Sequence, residues 1–264
     1  MTKRLSLLAV FAHPDDESCG PGATLAKYAH RGVEVTLVCV TRGEAGFCDD
    51  PQCEDYRPIS REQCVTVRVQ ELACACQALA IGRWAVLGYP DGRVAQCDRR
   101  ELEGELVRWV RTVRPQVMVT CYPEGKLGHP DHDAVARVTA RAYLGAGHPS
   151  RFQEHLRGGL GPWQPLKLYY CIPPDPELAS QCMDQRPLTV VDSSVYVQHK
   201  IRAMRCHASQ KQCSISMTEA VLRKPRWTES FHLAHSRLPQ RKIPEHCLFA
   251  GVPASYPGVR ICLA

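Results

Sequence analysis

The sequence predicts a Rossmann-like α/β fold, a mostly parallel sheet flanked by helices. Short apolar runs rich in valine and leucine alternate with longer stretches of helical period, the pattern of successive strand–helix–strand units. Glycines and prolines punctuate the joints, and 264 residues suffice to bury one full core, so a single domain over residues 1–264 is expected.

Apolar residues 5–12 read as the first strand, and 23–31 as the helix after it. Residues 33–40 form a second strand, bounded by Gly32 and Gly43. A polar, cysteine-bearing loop then runs to Ser60, which is placed to cap a helix over 60–80, with Gln63 completing a capping box. Strand 84–88, helix 99–113, strand 116–121 and helix 133–143 continue the alternation. Residues 145–165, dense in Gly, Pro, Arg and His, read as a long loop or as the start of a distal half. Beyond it 167–172 and 188–191 are strand-like and 194–208 is helical, while the tail after Pro239 holds only short apolar runs.

Lys and Arg number 33 against 27 Asp and Glu, a formal charge of +6. The basic residues are scattered without a run of like charge, so no nucleic-acid partner is expected. No apolar segment approaches the roughly 18 residues needed to span a bilayer, so no transmembrane segment is expected. Lys3 and Arg4 precede an apolar stretch, as in a signal peptide, but that stretch runs into His13 with no small-residue cleavage site. The expectation is a soluble, cytoplasmic protein, with a homo-oligomer left open.

Fifteen cysteines are an odd number and cannot all pair within one chain. In an intracellular protein most are expected reduced, as small buried hydrophobes, and Cys39, Cys121 and Cys171 sit in strand-like runs. Cys48, Cys53 and Cys64 surround the polar loop but lack the paired knuckles of a structural zinc site.

Chemistry concentrates in two tetrads, His13-Pro14-Asp15-Asp16 and His129-Pro130-Asp131-His132, each placed just after a predicted strand. Ligands of open α/β sheets bind beyond the carboxyl ends of the strands. Proline restricts the preceding residue to extended backbone, which projects His13 and His129 from the strand ends. His13, Asp16 and His132 match the two-histidine, one-carboxylate set of a catalytic zinc with an open fourth position. Gly20-Pro21-Gly22 resembles half of a dinucleotide fingerprint, but the third glycine is missing and a proline intervenes.

Ala12-His13-Pro14-Asp15-Asp16-Glu17 and Gly128-His129-Pro130-Asp131-His132 resemble the two signature motifs of the LmbE/PIG-L family of zinc-dependent N-deacetylases. Thr41-Arg42-Gly43-Glu44, Arg68-x-x-Glu71-Leu72, Pro90-Asp91-Gly92, His207-Ala208-Ser209-Gln210 and Glu229-Ser230-Phe231 are similar to further family segments in the same order. The resemblance is strong through about Tyr143, which divides the chain into a catalytic half, 1–144, and a divergent half, 145–264, expected to shape the substrate pocket.

The resemblance implies a Zn2+ ion, or Fe2+ in its place, on His13, Asp16 and His132, with Asp15 as the base that activates water. It implies that His129 faces the oxyanion and that Asp131 orients His129. Arg68, Asp91 and His207 are expected to contact substrate. The implied reaction is removal of the acetyl group from an N-acetylglucosamine-type amino sugar or conjugate. The alternatives are an amidase of thiol conjugates on the same scaffold and a noncatalytic metal- or thiol-rich binding protein. Leu127 departs from the deacetylases of mycothiol biosynthesis, which carry a tyrosine there, so either polarisation of the carbonyl rests on His129 and the metal or the substrate is different.

Overall fold

Leu5 to Ala12 is so continuously apolar that it must be covered on both faces, and in the computed structural model it forms the central strand β1 (Ser6–Phe11), buried throughout. The structure describes residues 4–46, 58–123, 129–173, 188–210, 218–219, 221–239 and 244–253. The other strands are β2 (Glu34–Thr41), β3 (Arg83–Tyr89), β4 (Val117–Thr120), β5 (Lys167–Cys171), β6 (Leu188–Asp192) and β7 (Thr228–Ser236). The helices are α1 (Asp16–Cys19), α2 (Gly22–His30), α3 (Arg61–Ala78), α4 (Arg99–Val113), α5 (Pro130–Gly145), α6 (Gln153–Arg157) and α7 (Val197–Cys206).

One seven-stranded sheet runs β3-β2-β1-β4-β5-β7-β6. The first five strands are mutually parallel, whereas β7 is antiparallel to both β5 and β6. The chain order reverses between β1 and β4, which is where open sheets of this kind form a crevice for ligands. The segments that follow those two strands carry the two tetrads.

Local signals set several elements as expected. Ser60 accepts a bond from the Gln63 amide at 3.2 Å while the Gln63 side chain accepts from the Ser60 amide at 3.0 Å, the anticipated capping box at the start of α3. Other boundaries differ. The helix expected over 133–143 begins at Pro130, with His129 as its N-cap, so the second tetrad is the first turn of α5 rather than a loop before it. Proline at the first helical position costs no hydrogen bond, because that amide has no partner in a helix anyway. The loop at 145–165 contains α6, and the helix expected from 194 starts as a 3₁₀ turn at Ser194–Tyr196.

The sequence reading assigned no strand to β7. Glu229 and His232 lie on its opposite faces and both are buried, so polar residues stand where a doubly covered strand would show apolar ones. Glu229 accepts the Ala23 and Thr24 amides at 3.2 and 2.7 Å and thereby caps α2, while the Trp227 indole and the Lys200 ammonium also reach it. Only this packing makes a carboxylate tolerable in an interior strand.

Cys39, Cys121 and Cys171 are buried and free, as expected. Cys74 and Cys206 stand apart from the free thiols: their Cα atoms lie 5.7 Å apart and a disulfide joins α3 to the end of α7. Cys48 and Cys53 lie outside the described residues. The Cys74–Cys206 bond closes a sequence separation of 132 residues. Chain entropy therefore assigns it up to about 5 kcal/mol of stability. Reduction, or paired serine substitution, is expected to lower the thermal midpoint by roughly 10 °C, read by calorimetry. An unchanged midpoint would show that the bond carries no stability.

Candidate metal centre and active site

The β1 strand ends at Phe11, and the chain turns sharply at Asp15, whose φ of 117° lies in the left-handed region. That conformation is sparsely populated for a residue with a side chain and marks a place where neighbours hold the backbone. The turn starts the short helix α1, which puts Asp16 under His13. One oxygen of Asp16 accepts the Ala12 and His13 amides at 3.1 and 2.9 Å, leaving the other 3.1 Å from His132 Nε2. His13 Nδ1 lies 3.2 Å from the same His132 nitrogen. The ligand atoms of His13, Asp16 and His132 lie within 4.8 Å of one another, a set that could hold a metal ion. The Asp16 and His132 side chains keep 15% and 32% of their surface exposed, so solvent reaches the cluster.

His13 turns its other ring nitrogen to two carboxylates. Nε2 is 3.0 Å from Asp91 and 3.3 Å from Asp131. Those acids are themselves fixed by backbone amides, Asp91 by Ala45 and Asp131 by Gly92 and Val94. His13, Asp91, His129 and Asp131 form a second cluster within 4.8 Å. Its two buried carboxylates are already committed to backbone donors and to the His13 ring, an arrangement that orients a metal-ligating imidazole from behind. Burial by itself lowers the His13 pKa, but the hydrogen bonds to Asp131 and Asp91 outweigh it and raise it to about 10. Burial raises the Asp16 pKa in the same way and is outweighed by His132, which holds the carboxyl well below its usual range.

Asp15 sits beside the first cluster. Burial pushes its carboxyl up to about 6, against the opposing charge of Arg68. Arg68 Nη2 donates to Asp15 at 3.0 Å and also to the Pro14 carbonyl, and Nη1 donates to the Gly43 carbonyl at 2.8 Å. Arg68 is 3% exposed. Arg68, expected to contact a substrate, turns these donors inward onto the Asp15 turn. Gly43 has φ +74°, and a Cβ there would lie 2.5 Å from Arg68 Nη1. Gly43→Ala is expected to combine backbone strain of about 1–3 kcal/mol with displacement of Arg68. The predicted outcome is a lower thermal midpoint together with lower activity; wild-type values for both would show that the close approach is dispensable.

Three further expected site residues make the following contacts. Asp91, expected to contact substrate, lies 3.0 Å from His13 Nε2. Asp131, expected to orient His129, has its carboxylate 4.0 Å from His129 Nδ1 and serves His13 instead. His129 Nδ1 accepts the Asp131 amide at 3.3 Å, which leaves the ring hydrogen of the neutral imidazole on Nε2. Burial lowers the His129 pKa, and the nearby charge of His13 lowers it further, so the neutral form is favoured. His207, expected at the rim, is 2% exposed and bonded to Glu17 at 2.8 Å. Leu127 lies outside the described residues.

Several supporting residues received no role from sequence reasoning. Glu17 accepts the Asp15 amide at 3.0 Å. Glu44 accepts the Asp91 amide at 3.0 Å. The Lys200 ammonium, fully buried, donates to the carbonyls of Ser18, Cys19 and Gly20 at 2.8, 2.8 and 2.6 Å and so closes the end of α1. The Glu17 and Glu44 motifs were visible in the sequence. Nothing in it marked Lys200, which lies in an ordinary amphipathic helix.

At the switch point of the mostly parallel sheet the structure gathers a His/Asp cluster that could hold a metal ion, with the carboxylate of Asp15 beside it. Comparison with known proteins places the chain. The model of the PIG-L family, described as GlcNAc-PI de-N-acetylase, matches residues 8–143. A 1D-myo-inositol 2-acetamido-2-deoxy-alpha-D-glucopyranoside deacetylase from Thermobispora bispora is 35% identical over 243 residues, covering 77% of this chain and 78% of the relative. A mycothiol S-conjugate amidase from Streptomyces coelicolor is 32% identical over 295 residues, covering 96% and 99%. The N,N'-diacetylchitobiose deacetylase of Pyrococcus horikoshii, solved with an inhibitor, shares the fold with a TM-score of 0.70 at 23% identity, covering 86% of this chain and 83% of that one. The chain belongs to the PIG-L family, and it is an enzyme that hydrolyses amide bonds.

Proposed function

We propose that the protein is a zinc-dependent deacetylase that removes the acetyl group from an N-acetylglucosamine-type amino sugar or its conjugate. The observation that carries this reading is the convergence of His13, Asp16 and His132 within 4.8 Å, with the half-buried carboxyl of Asp15 on the intervening turn. The donor set suits the ion, since two imidazoles and one carboxylate with an open side are a common catalytic zinc arrangement. Zinc held there supplies Lewis-acid polarisation and lowers the pKa of water to about 7.

Asp15, ionised, takes the proton of the attacking water. Neutral His129, carrying its hydrogen on Nε2, donates to the oxyanion that develops on the acyl carbon. Asp15, now protonated, then supplies the proton that the leaving amine needs, a role that the lowered pKa of His129 makes less accessible to the imidazole. Arg68 keeps the Asp15 carboxylate in place, and Asp91 and Asp131 keep the His13 ring in its ligating tautomer. The 145–264 half closes the pocket around the remainder of the substrate. No helix among the described residues is long and apolar enough to cross a membrane, and a cytoplasmic location is part of the proposal.

Because the base must be ionised, kcat/KM should rise with pH through an acid limb set by Asp15. The charge of the bound ion pulls that limb below the value of about 6 found without it. Rates measured from pH 4 to 8 are expected to fall about tenfold per unit below the limb. A profile flat down to pH 4 removes Asp15 from the role.

A second reading, amidase of thiol conjugates, is favoured by the near-complete overlap with the Streptomyces coelicolor amidase. Purified, zinc-loaded protein should be assayed on N-acetylglucosaminyl-inositol, on simpler acetylated amino sugars and on mycothiol S-conjugates. Acetate release from the sugars supports the deacetylase, and cleavage of the conjugates alone selects the amidase. If none is cleaved with zinc bound, both readings fall.

A further inference from the structure

Asp15 is held from two directions by one helix. On the side-chain direction, Arg68 of α3 bonds the carboxylate at 3.0 Å. On the backbone direction, the Asp15 amide donates to Glu17 Oε2 at 3.0 Å, and Glu17 Oε1 meets His207 Nε2 at 2.8 Å. Glu17 and His207 are 1% and 2% exposed. The segment bearing His207 is in turn fixed to α3 on both flanks. Glu71 accepts the Ser209 amide and hydroxyl at 2.6 and 2.7 Å, and Cys74 is joined to Cys206. Arg68, Glu71 and Cys74 recur at three-residue spacing, which lays them along neighbouring turns of the same helix.

We propose that His207, acting through Glu17, is a positioning residue that holds Asp15 in its left-handed backbone conformation. A carboxylate buried at the Asp15 amide needs partners that fix its direction; the Ser18 hydroxyl donates to Glu17 Oε1 at 2.5 Å from the neighbouring position, and His207 is the partner that ties Glu17 to the distant segment held on α3. Without His207, Glu17 loses that long-range anchor and is free to turn. The Asp15 amide then loses a strong acceptor, and the turn relaxes to a commoner φ that carries the carboxyl away from its place against Arg68. The proposal rests on the reading of Asp15 as the base. It concerns a residue outside the His13, Asp16 and His132 set, bonded to Glu17.

The test compares full-length, zinc-loaded His207→Ala, His207→Gln and Glu17→Ala and the Glu17→Ala/His207→Ala double variant with the wild type. Steady-state kinetics on the amide that the wild type cleaves are read together with zinc per chain. His207→Ala is expected to lower kcat about 10- to 100-fold, as loss of a supporting shell does, with KM and zinc content unchanged. His207→Gln, whose amide can still donate to Glu17, should recover most of the rate. The double variant should be no slower than Glu17→Ala alone, because the two residues act in series.

Wild-type kcat in His207→Ala overturns the proposal. So does a loss of zinc that parallels the loss of rate in both His207 variants, or a double variant slowed by the product of the two single effects. If His207→Ala does not fold, His207→Asn, too short to reach Glu17, takes its place in the contrast with His207→Gln. A wild-type protein inert on every amide instead removes the underlying reading, and this proposal with it.

Discussion

Asp15→Asn is expected to retain a full equivalent of zinc and to lose about 10²- to 10⁴-fold in kcat, the range that a general base contributes. Asparagine is the informative replacement. Asp15 has φ 117°, and asparagine enters the left-handed region several-fold more readily than most residues, whereas alanine would add backbone strain to the chemical change. Its amide oxygen can still accept from Arg68, so the Pro14–Asp15 turn keeps its anchor. What disappears is the ability to take a proton. Kinetics on the cleaved amide, with metal content measured by atomic absorption, checks the outcome. Turnover within tenfold of wild type would mean that the proton goes elsewhere.

Chelation should abolish activity, and added Zn2+ should restore it. The pH dependence of metal binding follows from the same geometry. In the metal-free protein the carboxylates behind His13 raise its pKa to about 10, and the His132 pKa is raised by Asp16 against the opposing effect of burial. A ligand whose pKa lies above the working pH must release its proton before the ion binds. Binding near neutrality therefore liberates protons, and apparent affinity weakens by about tenfold or more for each unit that the pH falls. Calorimetric titration in buffers of different ionisation enthalpy counts those protons. Uptake in place of release, or affinity that does not vary with pH, contradicts the His13, Asp16 and His132 assignment. Loss of the ion should also lower the thermal midpoint, because its binding energy is spent only on the folded state.

Much of the fold was readable because its signals are local. An unbroken apolar run such as residues 5–12 admits little but a doubly covered strand, and the Ser60/Gln63 pair announces a helix start through bonds three residues apart. The two tetrads were readable for the same reason, since histidine and aspartate three apart at strand ends already imply a shared ligand. The β7 strand was not, because Glu229 and His232 occupy its interior for reasons that lie in other elements. Arg68, Asp91 and His207 were drawn from the sequence as groups of the site, but the protein partners each one meets were not readable there. Periodicity cannot say whether an arginine on a helix faces solvent or a buried turn.

By itself, then, the sequence determined the class of fold, the place of the two tetrads at its strand ends and the ligand types gathered there. Each of those depends on interactions within a few residues of chain. Tertiary structure alone decided which group serves which: Asp131 turned to His13 instead of His129, Arg68 spent on Asp15 and Gly43, and His207 buried against Glu17. A buried polar group takes whichever partner the packing brings within about 3 Å, and leaving it unpaired costs more than any local preference. Those partners lie 25 to 190 residues away along the chain, a distance over which spacing carries no information.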